Sequence, residues 1–209
     1  ILQPMESVKS ARSLSPEKTA AILDGAMQIF LAEGYAGTTM DRIAAVAGVS
    51  KPTIYNHFQD KEHLFNSLME KLAKEKEWSK CLVLLESPCE SAPVVLRGIA
   101  NEMLNSCKEP STMNTFYRLV VGESGRFPEL GKACVRHLDK PMIDALTKYF
   151  SFLKLPDPEV TARIFMGTLV LYIISNEVMH GQEIMPMDCD RLVESLIKII
   201  LQDSYSCST

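Results

Sequence analysis

The chain has 209 residues, of which 46% are hydrophobic and 23% charged, with a formal net charge of -4. That length folds unaided, as one large domain or as a small one plus a medium one, with no need of a metal or disulfide staple. The acidic balance excludes a protein that coats nucleic acid indiscriminately, since such proteins carry a large positive surplus, so any DNA binding must come from a local patch.

Residues 1–61 are neutral, with Lys9, Arg12, Lys18, Arg42, Lys51 and Lys61 against Glu6, Glu17, Asp24, Glu33, Asp41 and Asp60; the negative excess lies beyond them. Cys81, Cys89, Cys107, Cys134, Cys189 and Cys207 form no C-x-x-C pair and follow no apolar leader, which predicts a reducing cytoplasm rather than a secreted disulfide framework. The longest apolar run, Ile164 to Ile174, has 11 residues. A bilayer span needs about 20, so the run predicts a buried helix and no membrane association.

Strand signals are nearly absent and helical periodicity recurs throughout, so the chain reads as all-α with about nine helices. Residues 1–15 are polar and Ser-rich and are expected to form a flexible arm. Ser15 as N-cap and Pro16 in the first turn open a helix that places Ile22, Ala26, Ile29 and Phe30 on one face and stops at Gly34. After a tight connection, Thr38 or Thr39 caps a short helix carrying Ile43, Ala44 and Ala47, which Gly48 ends. Ser50 caps a third helix running to about Phe58, and Asp60 a fourth with Leu64, Leu68 and Leu72 at four-residue spacing beside Phe65 and Met69. Prolines near 88–93, 110, 128, 156–158 and 186 divide the remainder into about five further helices.

Thr39 to Phe58 has the build of a helix-turn-helix. It combines two short helices, a turn containing glycine, small alanines at the contact, and Ile43, Val49, Ile54 and Phe58 to fix the angle. The third helix then projects Lys51, Thr53, Tyr55, Asn56 and His57, donors and acceptors suited to phosphates and base edges, and Lys61 adds a cation beyond. The run from Gly34 to Phe58, followed by Asp60-Lys61-Glu62-His63-Leu64, closely resembles the tetracycline-repressor (TetR/AcrR) family, most specifically over about Thr19 to Leu68.

The resemblance implies that Thr39, Tyr55, His57 and Lys61 anchor phosphates while Ser50, Lys51, Thr53 and Asn56 face the major groove. Two departures bear on that readout. Pro52 stands where many members have glycine and denies a backbone N–H to the DNA, and Asp41 is an acidic residue that either repels phosphate or pairs with Arg42. The segment Phe116 to Leu130 also looks like part of one branch of the family. It implies an effector pocket in the central helices and a dimer interface on the last two, about Pro158 to Met179 and Met187 to Gln202.

The domain plan is an arm over 1–15, a DNA-binding unit over 16–62, an effector and dimerisation unit over 63–204 and a tail over 205–209. Met103, Phe116, Tyr117, Phe127, Met142 and Met166 are the expected lining of an adaptable apolar pocket, although such residues also fill cores. Phe165, Leu169, Tyr172, Leu192, Ile197 and Ile200 are the expected interface residues, because Ile164 to Ile174 is apolar on every side.

No enzymatic constellation is complete. Gly122-Glu123-Ser124-Gly125-Arg126 lacks the last glycine and the preceding strand of a nucleophile elbow, and no phosphate-binding glycine motif occurs, so no cofactor is expected. Cys134 and His137 stand one helical turn apart but have no companion pair for a metal. Cys107 beside Lys108 and Cys134 near Arg136 are candidate redox thiols. The sequence therefore predicts a homodimeric, effector-controlled regulator, more often a repressor in such a family, on near-palindromic double-stranded DNA. The alternative is a helical ligand-binding or scaffold protein without operator preference.

Overall fold

The computed structural model describes residues 15–74, 76–86, 90–108 and 111–202, with side chains for all but 76–79. The expected arm before Ser15, the tail, Cys89 and Cys207 lie outside the described residues. All regular structure among the described residues is helical.

Helix α1 (Pro16–Gly37) begins where the hydroxyl of Ser15 accepts from the Lys18 amide at 3.4 Å, with proline in the first turn. The expected stop at Gly34 is a kink within that helix. Gly34 has φ 72° and ψ 170°, a backbone state only glycine adopts without strain. Helix α2 (Met40–Val46) is capped by Thr39 rather than Thr38, because Thr38 is buried and its hydroxyl donates to the Gly34 carbonyl at 2.7 Å. Gly48, at φ 65°, turns the chain into α3 (Lys51–His57), capped by Ser50. Asp60 caps α4 (Lys61–Ala73), accepting from the His63 amide at 2.9 Å.

Ile22, Ala26, Phe30, Ile43, Ala44, Ile54 and Phe58 are all buried and lock the first three helices together. A Cβ on Gly25 would stand 3.2 Å from the Ala47 nitrogen, so α1 and α2 meet almost backbone to backbone. That closeness leaves the opposite side of α3 pointing outward.

The remaining helices are α5 (Lys76–Leu85), α6 (Ala92–Ser106), α7 (Thr112–Glu123), α8 (Pro128–Cys134), α9 (Lys140–Phe152), α10 (Pro158–Ile173) and α11 (Cys189–Gln202). A π-turn over Val135–Asp139 joins α8 to α9 in one rod, leaving ten rods among the described residues. The rod beyond the expected nine arises because α4 and α5 are separate, with no proline or glycine to announce the break. Helices α5 and α6 pack together, α9 packs on α10, and α11 lies across α6 and α10. Helices α4 and α7 both touch α1 and so carry the bundle against the N-terminal helices.

Helix α10 with its own π-turn, Pro158–Val178, is 21 residues long and contains an 18-residue window of mean hydropathy 1.2, long and apolar enough by length and composition alone to cross a membrane. The 11-residue run understated it. One side of this rod, Ala162, Phe165, Met166, Leu169 and Ile173, is buried against the chain's own core. On the other side Ile164 and Leu171 are 51% and 62% exposed, with Val160 open beside them. A helix apolar on both sides is what a wall packed from within and covered from without requires.

Candidate nucleic-acid interface

Helix α3 presents Lys51, Tyr55 and Asn56 to solvent, with Thr53 and His57 half-buried at its edges and Ser50 exposed at its cap. Thr39, the cap of α2, is exposed as well. The Tyr55 ring is 45% exposed and stands 6.0 Å from the Lys51 ammonium.

Most of these groups already have partners within the chain. The Ser50 hydroxyl accepts from the Thr53 amide at 3.3 Å and shares a 2.8 Å hydrogen bond with the Thr53 hydroxyl. Nδ1 of His57 lies 3.0 Å from the Thr19 hydroxyl, which ties the end of α3 to the start of α1. Lys51 donates to the Asp41 carboxylate at 2.8 Å, and that ion pair raises the lysine pKa. Arg42 is paired with Glu33 instead, so of the two fates expected for Asp41, repulsion of phosphate or pairing with Arg42, the structure shows neither. Its partner is the candidate base-reading lysine across the turn. The available signal was the placement of both residues in the first turn of adjoining helices, ten positions apart.

Lys61 was expected to anchor phosphate. Within the chain its ammonium donates to the carbonyls of Tyr35 at 2.6 Å and Thr38 at 2.8 Å and stands 4.3 Å from the centre of the Tyr35 ring. Partial burial holds its pKa below the ordinary lysine value. It therefore secures the α1–α2 turn next to Thr39.

Two other sets of expected residues are placed differently from expectation. Phe165, Leu169, Ile197 and Ile200 are buried within the chain's own core, out of reach of a partner, while Tyr172 and Leu192 are half-exposed. Apolar character alone does not tell which side of a helix faces the chain's own core. Among the expected pocket residues, Met103, Met142 and Met166 are packed in the core. Phe116 and Phe127 belong to a chain of rings joining the bundle to α1: Phe116 stacks on Phe65 at 5.4 Å, and Phe127 meets Tyr35 edge-on at 5.0 Å. Tyr117 is half-buried, and burial, with Cys134, Asp139 and Cys107 adding to it, pushes its hydroxyl well above the ordinary value.

The candidate redox thiols are corrected by the same physics. Cys107 and Cys134 are buried, and loss of solvent raises both thiols, Cys134 to about 12, so neither holds the exposed thiolate that a sensor needs. Cys134 and His137 gain no third ligand, because among the described residues no three His, Cys, Asp or Glu side chains converge on one point.

A short capped helix projecting polar side chains from a three-helix core, backed by a helical bundle, is the build of a helix-turn-helix regulator. Residues 22–68 match the family model for bacterial regulatory proteins of the tetR family, and residues 94–205 match that for the C-terminal domain of AefR-like transcriptional repressors. The chain belongs to the TetR family. It is 42% identical over 62 residues to the HTH-type transcriptional regulator YhgD of Bacillus subtilis, a match covering 30% of this chain and 32% of that protein. It is 31% identical over 91 residues to the regulator EthR of Mycolicibacterium smegmatis, covering 44% of this chain and 42% of EthR. These matches span less than half of the curated relatives. A TetR-family regulator from Pseudomonas syringae pv. tomato superposes over 90% of this chain and 97% of its own, with TM-score 0.68 and 25% identity. One from Mesorhizobium loti does so over 94% and 98%, with TM-score 0.69 and 23% identity, which speaks for the fold.

Proposed function

We propose that this chain is a homodimeric cytoplasmic transcription regulator, acting as a repressor, that reads near-palindromic double-stranded DNA with α3 and is released by a small effector bound in the bundle. The observation that carries the reading is the exposed row Ser50, Lys51, Tyr55 and Asn56 on a helix whose back is fixed by buried Ile54 and Phe58. Lys51, Thr53 and Asn56 would face base edges, and Thr39, Tyr55 and His57 phosphates. The DNA-binding unit is proposed to run over 16–62, with α4 as its link to the bundle.

The dimer would form through the outward side of α10, Val160, Ile164 and Leu171, with Ile199 of α11, all exposed and apolar. The effector would sit in the bundle. A cleft of about 440 Å³ between α5, α6 and α9, with Leu82, Leu85, Tyr149 and Phe152 on its wall, suits a small apolar molecule. Effector and DNA would each weaken the other by the same coupling free energy, typically about 1–3 kcal/mol.

Selection of duplexes from a random-sequence pool on the full chain tests the reading. A recovered inverted repeat whose half-sites are separated by about one helical turn is the expected result. No sequence preference at any salt would overturn it in favour of a helical scaffold.

A further inference from the structure

Helix α7 ends in a carboxylate that serves the N-terminal helices rather than the bundle. Glu123, its last residue, accepts from the backbone amides of Tyr35 at 2.7 Å and Ala36 at 2.9 Å. Those amides follow the kink at Gly34, where the backbone leaves the helical path of α1. A Cβ at Gly34 would stand 2.5 Å from Glu123 Oε1, so the glycine also clears the space the carboxylate occupies. Lys61 holds the same turn through its carbonyls. The turn is thus gripped by an anion on its N–H groups and a cation on its C=O groups, and the next residue is Thr39, the cap of α2.

Further back, α7 is tied to the π-turn that ends α10. Arg118 donates to the carbonyls of Glu177 at 2.7 Å and Val178 at 3.2 Å, and Asn114 to that of Glu177 at 3.2 Å. One helix therefore has polar anchors on the α10 rod from Asn114 and Arg118 and on the DNA-binding unit from its last residue.

We propose that Glu123 is a positioning residue for operator binding, a latch by which α7 holds the Tyr35–Thr38 turn, and with it the Thr39 cap, in the pose that DNA requires. The proposal rests on the reading of α2 and α3 as the DNA face. Withdrawal of α7 by a change in the bundle removes two charge-assisted hydrogen bonds from the amides of Tyr35 and Ala36, which frees the turn. The latch thereby gives the bundle a physical grip on the DNA-binding pose, and both of its states are defined by the same pair of hydrogen bonds.

The test compares full-length wild type with Glu123→Ala, Glu123→Gln and Val120→Ala. The last trims a buried residue one turn earlier on α7 and serves as the control for loss of packing alone. Amide hydrogen exchange is read at Tyr35 and Ala36, and fluorescence anisotropy on a duplex selected with the wild-type protein, across a salt series. Glu123→Ala should speed exchange at those two amides about tenfold or more while the Leu146 amide of α9 is unchanged. It should weaken the selected duplex about tenfold with an unchanged salt slope, because no phosphate contact is lost. Glu123→Gln, which keeps one acceptor oxygen, should recover part of both effects, and Val120→Ala should lower the melting temperature without either. Unchanged exchange in Glu123→Ala overturns the latch. Faster exchange with unchanged affinity overturns the positioning role, as does an equal loss of affinity in Val120→Ala. A wild-type protein that selects no duplex refutes the DNA reading, and exchange alone then decides the latch.

Discussion

On α3, Lys51 rests on Asp41, Ser50 on Thr53 and His57 on Thr19, whereas on the outer side of α10 Val160, Ile164 and Leu171 lie open. Both surfaces are exposed, but they stand differently toward a partner. A polar surface bonded to itself loses little by waiting, because each internal bond can be exchanged for one to phosphate or base. An apolar surface has nothing to exchange and gains only by being covered. The contrast teaches that binding on α3 would be a substitution of partners, and so sensitive to salt and charge, while binding on α10 would be burial and sensitive to shape.

The largest effect that would break this contrast is expected on α10. Leu171→Glu places a charge on the open apolar side and should turn a dimer into a monomer, raising the dissociation constant about 100-fold or more, as read by sedimentation. An unchanged mass at micromolar concentration would remove α10 as the interface. Leu169→Glu, two residues away and fully buried, should instead unfold the chain, visible as loss of helical circular dichroism.

Next in size is Lys51→Ala, expected to cost about 1–3 kcal/mol on the selected duplex and less on random DNA. Equal losses on both would assign Lys51 to phosphate. Asp60→Ala should lower stability by about 1 kcal/mol through the lost cap of α4. The His63 amide, and then the His63 ring, hold the Asp60 carboxyl below its ordinary value. This stabilisation is therefore complete above the ordinary carboxylate pKa of about 4 and fades as pH falls through the depressed one. The gap in melting temperature between wild type and variant should close in acid; a gap constant down to pH 2 would point to packing instead.

The smallest effect sharpens the idea of substitution. Asp41→Asn frees Lys51 from an exposed ion pair worth about 0–1 kcal/mol, so stability should barely move while affinity rises a few-fold on cognate and random duplexes alike. Weaker binding would show that Asp41 itself touches the operator.

Legibility in the sequence followed the range of the interaction. Ser15, Ser50 and Asp60 were readable as caps and Gly48 as a turn because each acts within three or four residues of itself. Which side of α10 faces outward was not. Phe165 and Leu171 are equally apolar letters, and only packing on α9 and α11 decides which is buried. Nor does spacing reveal that Phe116 and Phe127 join rings from α4 and α1, or that Lys61 turns back to two carbonyls, since these contacts bridge distant segments.

The rod formed by α8 and α9 buries Leu130, Cys134, Leu138, Met142, Leu146 and Phe150, one residue in every four. An ordinary helix completes a turn in 3.6 residues, so such a row would drift about 40° per step and soon wind off the core. The wider turn at Val135–Asp139 lets the row keep its heading, and the rod runs on through Pro141. What this stretch encodes is a count more than a choice of letters. Val135, 53% exposed, should accept almost any side chain, yet its deletion would swing everything beyond it by about a quarter turn and set Met142 and Leu146 facing the wrong way.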